Sequence, residues 1–111
     1  MEYKIIAFDN LEHREQVISL WKDVFGYEAA HNAPEIIINK KMDFADGLFF
    51  VAVDNHDVIG TVMAGYDGHR GWIYSIAVSA AYRKQGLGSA LLAFAEERLS
   101  EKDCMKINLQ I

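Results

Sequence analysis

The run Arg83-Lys84-Gln85-Gly86-Leu87-Gly88-Ser89 sets two basic side chains ahead of two glycines, where an amphipathic helix should begin. The first N–H groups of an α-helix have no intrahelical partner, and the helix dipole makes that end attractive to anions. A glycine inside a helix costs roughly 1 kcal/mol relative to alanine, so a pair in the opening turns asks for a reason. One reason is a phosphate that must come close to the backbone. The plainer one is tight packing of the helix against a strand.

Two familiar phosphate-binding patterns are excluded. A Walker A loop needs Gly-x4-Gly-Lys-Ser/Thr, which occurs nowhere in the chain. The dinucleotide fingerprint needs Gly-x-Gly-x-x-Gly straight after a strand, and the third glycine position here is Leu91.

The elements that must position this turn follow from apolar spacing. Tyr3 to Phe8 is a β-prone run, with Asp9 or Asn10 as the cap of the next helix. Leu11, Val17, Ile18, Trp21, Val24 and Phe25 form one helical stripe, which Gly26 ends. Pro34 opens a second helix through about Phe44, carrying Ile37, Ile38 and Met42. Leu48 to Val53 and Val58 to Tyr66 read as an antiparallel hairpin around Asp54-Asn55-His56-Asp57. A second turn, Asp67 to Gly71, leads into Trp72 to Ser79, apolar on both sides and so a central strand. Leu87, Leu91, Phe94, Ala95 and Leu99 give the inner face of a helix from about Gly86 to Lys102. Met105, Ile107, Leu109 and Ile111 then alternate with polar residues as a last strand. The order β-α-α-β-β-β-α-β implies an α/β (α+β) domain, with a mixed, mainly antiparallel sheet and helices on both faces.

Arg83-x-x-Gly86-x-Gly88, preceded by Ile76-Ala77-Val78 and followed by the amphipathic helix, resembles the acetyl-CoA-binding motif of the GNAT superfamily of N-acetyltransferases. That motif is Arg/Gln-x-x-Gly-x-Gly/Ala. The element order matches the family through its fifth strand, and the resemblance covers essentially the whole chain. The run Thr61 to Gly71 is further similar to a small bacterial branch, the YpeA-type acetyltransferases, close to the ribosomal-protein-alanine acetyltransferases.

The resemblance implies that backbone N–H groups from Lys84, Gln85, Gly86, Leu87, Gly88 and Ser89 hold the pyrophosphate of acetyl-CoA, with Arg83 just ahead of them. It implies that the pantetheine arm pairs with Ile76, Ala77 and Val78, where a backbone N–H polarises the thioester carbonyl. The reaction implied is attack of a primary amine, on a small molecule or a protein N-terminus, on the acetyl thioester. A base or water chain must then take the amine proton. Asp67, His69 and Tyr74 are the weak catalytic candidates near the expected groove. Their plainer readings are a turn-shaping carboxylate, a solvated loop histidine and a sheet-packing tyrosine.

Family members typically continue into a further helix and two more strands, which supply a tyrosine that protonates the leaving thiolate. Tyr3, Tyr27, Tyr66, Tyr74 and Tyr82 all lie outside that position. The resemblance therefore implies an incomplete C-terminus, an open strand edge, and a homodimer that covers it. A non-catalytic module that binds CoA or a protein partner without turnover is the alternative to an active enzyme.

Bulk properties bound these readings. The 111 residues make one domain, 1–111, and a formal charge of −5 argues against a general nucleic-acid binder. Cys104 is the single cysteine, so no internal disulfide can form, and the residue reads as a small apolar member of a strand. His13, His31 and His56 lack metal-ligand spacing, so no metal is expected. No apolar run approaches the roughly 20 residues of a membrane span, the N-terminus lacks signal-peptide organisation, and the cytoplasm is the expected compartment.

Overall fold

Asp9 starts the first helix by accepting N–H bonds from Leu11 (2.9 Å) and Glu12 (3.4 Å) on Oδ1, which meets two of the orphan donors at that end. Gly26 stops it in the left-handed conformation (φ 61°), its N–H returning to the Lys22 carbonyl at 3.1 Å. In the computed structural model, which describes residues 3–26, 33–104 and 106–110, this helix is α1 (Asn10–Phe25). It follows β1 (Lys4–Ala7) and precedes α2 (Pro34–Phe44), β2 (Phe49–Asp54), β3 (Asp57–Tyr66) and β4 (Gly71–Val78). A 3₁₀ turn (Ala80–Tyr82), α3 (Leu87–Ser100) and β5 (Ile107–Gln110) complete the order. Tyr27, His31, Met105 and Ile111 lie outside the described residues, as do the side chains of Leu109 and Gln110.

The strands form one sheet in the order β1-β2-β3-β4-β5, antiparallel throughout except for the parallel pair β4–β5. The expected mixed sheet and element order are borne out. α1 and α2 cover one face, where Val17, Trp21 and Ile38 meet Phe49, Val51 and Met63. Phe49 lies stacked between Phe8 and Trp21, with ring centroids 4.2 and 5.7 Å away. α3 covers the other face, where Leu87, Leu91, Ala95 and Leu99 meet Phe50, Ile59, Val62 and Ile73.

Three helix-face expectations, Leu11, Phe25 (42% exposed) and Met42, and one strand expectation, Cys104, are corrected. Leu11 is 96% exposed, because it stands two residues before His13, about 200° around the helix from it. The buried line runs through His13, Val17, Leu20 and Trp21, and the His13 Nδ1 accepts the Asp9 N–H at 2.9 Å. In α2 the buried line is Pro34, Ile38 and Lys41, while Met42 turns outward. Cys104 precedes β5 rather than lying in a strand, because its N–H still reaches back to the Leu99 carbonyl (3.3 Å) as the chain leaves α3.

α3 approaches the sheet over two strand glycines. A Cβ on Gly60 would stand 2.9 Å from Leu91 Cδ1 and 3.1 Å from the Ala77 carbonyl oxygen. On Gly71 it would stand 2.7 Å from Cys104 Sγ and 3.0 Å from Leu99 Cδ1. Added volume in a close-packed core costs about 1–3 kcal/mol. Gly71→Ala should therefore lower stability by about that amount. Adding Cys104→Ala, which removes the atom in the way, should recover part of the loss in a double-mutant denaturation cycle.

Candidate functional site

β4 changes character along its length. From Gly71 to Tyr74 it pairs with β3 on one side and with β5 on the other. The β5 pairing ends at Tyr74–Gln110, so Ser75, Ile76, Ala77 and Val78 have no β5 partner among the described residues. The β3 ladder slips at the same place: Thr61 pairs with Ala77 and Met63 with Tyr74, which leaves one extra residue in β4. Ser75 absorbs it at φ 53°, a left-handed conformation that costs a non-glycine residue about 1–3 kcal/mol unless its surroundings hold it. This is a β-bulge. Beyond it Ala77 is buried, while Ile76 and Val78 are half-buried.

The chain then folds over the end of β4. Ser79 N–H bonds the Ile59 carbonyl at 2.8 Å, and the Tyr82 hydroxyl donates to Asp54 Oδ2 at 2.9 Å, anchoring the 3₁₀ turn to the β2–β3 hairpin. That bond, with the negative charge of Asp54 and Asp57, raises the Tyr82 pKa above its ordinary value. Arg83 Nε bonds the Val78 carbonyl at 3.2 Å, and Gln85 Nε2 the Ala81 carbonyl at 3.3 Å.

Lys84 (φ 63°) and Gly86 (φ 82°) are both left-handed, so the loop reverses sharply into α3. Among the described residues no side chain caps α3, and the first backbone bond back to the loop is Ala90 N–H to the Gly86 carbonyl at 3.0 Å. Geometry thus leaves the N–H groups of Leu87, Gly88 and Ser89 without intrahelical acceptors.

The two glycines of the motif can now be separated. Gly86 answers to backbone conformation, with open space around its missing Cβ. A Cβ on Gly88 would meet only Val78 Cγ2, at an ordinary 3.9 Å. Helix–strand packing therefore needs glycine at 60 and 71 and not at 88, which removes the plainer reading of the motif. The Leu87 side chain is 1% exposed and belongs to the core, so only its N–H faces the loop's chemistry. Arg83, Lys84, Gln85 and Ser89 are exposed.

The three catalytic candidates fall in different settings. Tyr74 lies between two adjoining hollows on the α2 side of the sheet, of about 270 and 300 Å³, with Phe44 common to both. Asp67 lines the larger with Trp72 and Gly65. Its Oδ1 accepts the N–H groups of His69 (2.8 Å) and Arg70 (2.7 Å). These bonds hold its pKa below the ordinary value, and it shapes the turn as well as facing the groove. His69 is exposed in that turn and lines neither hollow.

The sequence reading missed Lys41, 8% exposed, whose ammonium donates to Asp46 Oδ2 (2.8 Å), the Ala64 carbonyl (2.5 Å) and the Tyr74 hydroxyl (3.0 Å). It fixes the Tyr74 ring at the groove wall. The signal for it was its place at the i+7 position of the stripe begun by Pro34 and Ile38. Asn108, the register partner of Trp72, has its Nδ2 buried with no hydrogen-bond partner among the described residues.

A larger hollow of about 850 Å³ lies at the β1 edge between Lys4, Glu12, His13 and His56. It is remote from β5 in the sheet order, and the uncapped helix end and open strand are not part of it. Convergence of donors rather than volume makes the β4–α3 junction the candidate site.

Residues 14–111 match the Acetyltransferase (GNAT) family. An acetyltransferase from Sodalis glossinidius is 37% identical over 113 residues, covering all of this chain and 75% of that protein. Among solved structures, Ard1 from Thermoplasma volcanium superposes with TM-score 0.81 at 20% identity, over 98% of this chain and 71% of its own. The NatC complex bound to Gag peptide and CoA gives TM-score 0.80 at 24% identity, over 98% of this chain and 74% of its own. Those two likenesses are of fold. Taken with the close sequence relative and the family match over nearly the whole chain, they lead to one conclusion: the protein is a member of the GNAT family of acetyltransferases.

Proposed function

We propose that the chain is an N-acetyltransferase that moves an acetyl group from acetyl-CoA to a primary amine, on a small molecule or a protein N-terminus, in the manner of the YpeA-type branch. The observation that carries this is the N-terminus of α3, uncapped by any described side chain and with Gly88 left open by its own packing, beside the bulged second half of β4. Acetyl-CoA fits that pair of features: an anionic pyrophosphate for the helix end, and an amide-bearing arm for the strand edge. It supplies the activated acyl group.

The chain's own groups do the rest. N–H groups between Lys84 and Ser89, with the Ser89 hydroxyl, bind the phosphates. Charge-assisted bonds of this kind contribute about 1.5–3 kcal/mol each. Arg83 and Lys84 add positive charge ahead of the loop. Main-chain groups of Ile76, Ala77 and Val78 align the arm, and an N–H there stabilises negative charge on the thioester oxygen. The amine lone pair forms the new C–N bond as the C–S bond breaks and the thiolate departs. The groove walled by Phe44, Trp72 and Tyr74 admits the acceptor from the α2 side, where the Tyr74 hydroxyl and Asp67 stand nearest to pass its proton to water.

We also infer a homodimer in the cytoplasm. Ile36, Met42 and Phe44 expose apolar surface along α2, which a second copy would cover.

Two outcomes are expected. In calorimetry the protein binds acetyl-CoA, and Gly88→Val weakens binding by at least about 10-fold, some 1.4 kcal/mol, while the melting temperature holds or rises because valine replaces a helical glycine. Failure of the wild type to bind at millimolar acetyl-CoA would contradict the reading, and binding without thiol release across a panel of amines would select the non-catalytic module. In light scattering the protein runs as a dimer, and a monodisperse monomer at high micromolar concentration would overturn the assembly.

A further inference from the structure

The bulge in β4 is tied to α1 by a buried relay. Trp21 Nε1 donates to Thr61 Oγ1 at 2.8 Å, and the Thr61 hydroxyl donates to the Ser75 carbonyl at 3.1 Å. Both Trp21 and Thr61 have no exposed surface. The direction of the relay is fixed by chemistry. An indole N–H can only donate and a carbonyl can only accept, so the one hydroxyl proton is committed to Ser75. Thr61 is the polar member of the run Val58-Ile59-Gly60-Thr61-Val62-Met63, and a buried hydroxyl in such a run must be paired.

Pinning the Ser75 carbonyl has a consequence for the next N–H. The peptide is trans, so the Ile76 N–H points opposite to the Ser75 C=O. With the carbonyl drawn toward β3 and α1, the Ile76 N–H is aimed away from β3, toward the side on which β5 pairs with the first half of β4.

We propose that Thr61, oriented by Trp21, is a positioning residue: it holds the left-handed Ser75 so that the Ile76 N–H faces the acyl oxygen of the bound thioester. This rests on the acetyltransferase reading above. Thr61 touches neither substrate and acts through one peptide unit. The relay also explains why strain at a serine persists. The hydroxyl bond supplies the over-determination that a non-glycine left-handed residue needs.

The test is a variant series read by steady-state kinetics and by the backbone chemical shifts of Ser75. Thr61→Val keeps the volume and removes both bonds. Its kcat should fall about 10- to 100-fold, the scale of a misaimed reacting geometry, with KM for acetyl-CoA changed less than about 3-fold because the phosphate cradle is untouched. The Ser75 Cα and Cβ shifts should lose their left-handed signature. Thr61→Ser keeps the hydroxyl and should restore kcat and the shifts. Trp21→Phe leaves the hydroxyl free to rotate and should lower kcat by a smaller factor.

A Thr61→Val protein with wild-type kcat and left-handed Ser75 shifts would overturn the proposal. If that variant fails to fold, Trp21→Phe decides: unchanged kcat and unchanged shifts would overturn it equally. Absence of turnover in the wild type would instead sink the acetyltransferase reading, and the Ser75 shifts of Thr61→Val would still test the relay.

Discussion

β4 must serve two purposes that a regular strand cannot combine. Its first half is held from both sides by β3 and β5 and carries Ile73 into the α3 core. In the proposed reading its second half must offer main chain to the acetyl-CoA arm. The change occurs at Ser75, where one extra residue enters the strand and the backbone turns left-handed. A bulge bends and twists its strand, and the proposed site depends on where that bend falls. α3 starts beyond it, and the aromatic groove lies just before it.

The glycines divide by physical cause rather than by neighbourhood. Gly60 and Gly71 let α3 sit close on the sheet, which fixes the helix whose end is the proposed cradle. Gly86 permits a backbone turn, and Gly88 meets neither demand. A position that is glycine without a protein-internal need is the strongest local argument for an external occupant. The sequence motif alone could not make that distinction, because it depends on what lies around a missing Cβ.

Element order was readable from sequence because it rests on local signals, apolar period and capping residues, and glycines next to a basic pair marked the loop proposed as the cradle. α2 was placed at its observed limits, Pro34–Phe44, since proline favours the first turn of a helix. What sequence did not show depends on partners distant along the chain. Ser75 looks like any residue of an apolar strand until its register against β3 is known. Lys41 was passed over because lysine is ordinarily a surface residue, and its burial needs Asp46, the Ala64 carbonyl and Tyr74 around it. Leu11 reads as inward by its hydrophobicity, yet His13 takes the inner position because helix phase outranks residue type.

The central claim is that the β4–α3 junction holds acetyl-CoA, although the larger hollow lies at the β1 edge. Titration of isotope-labelled protein with acetyl-CoA, followed amide by amide in NMR, tests it most directly. The large shift changes are expected at Ile76, Ala77 and Val78 and from Lys84 to Ser89. Changes that cluster instead around Lys4, Glu12, His13 and His56, with the junction unmoved, would contradict it.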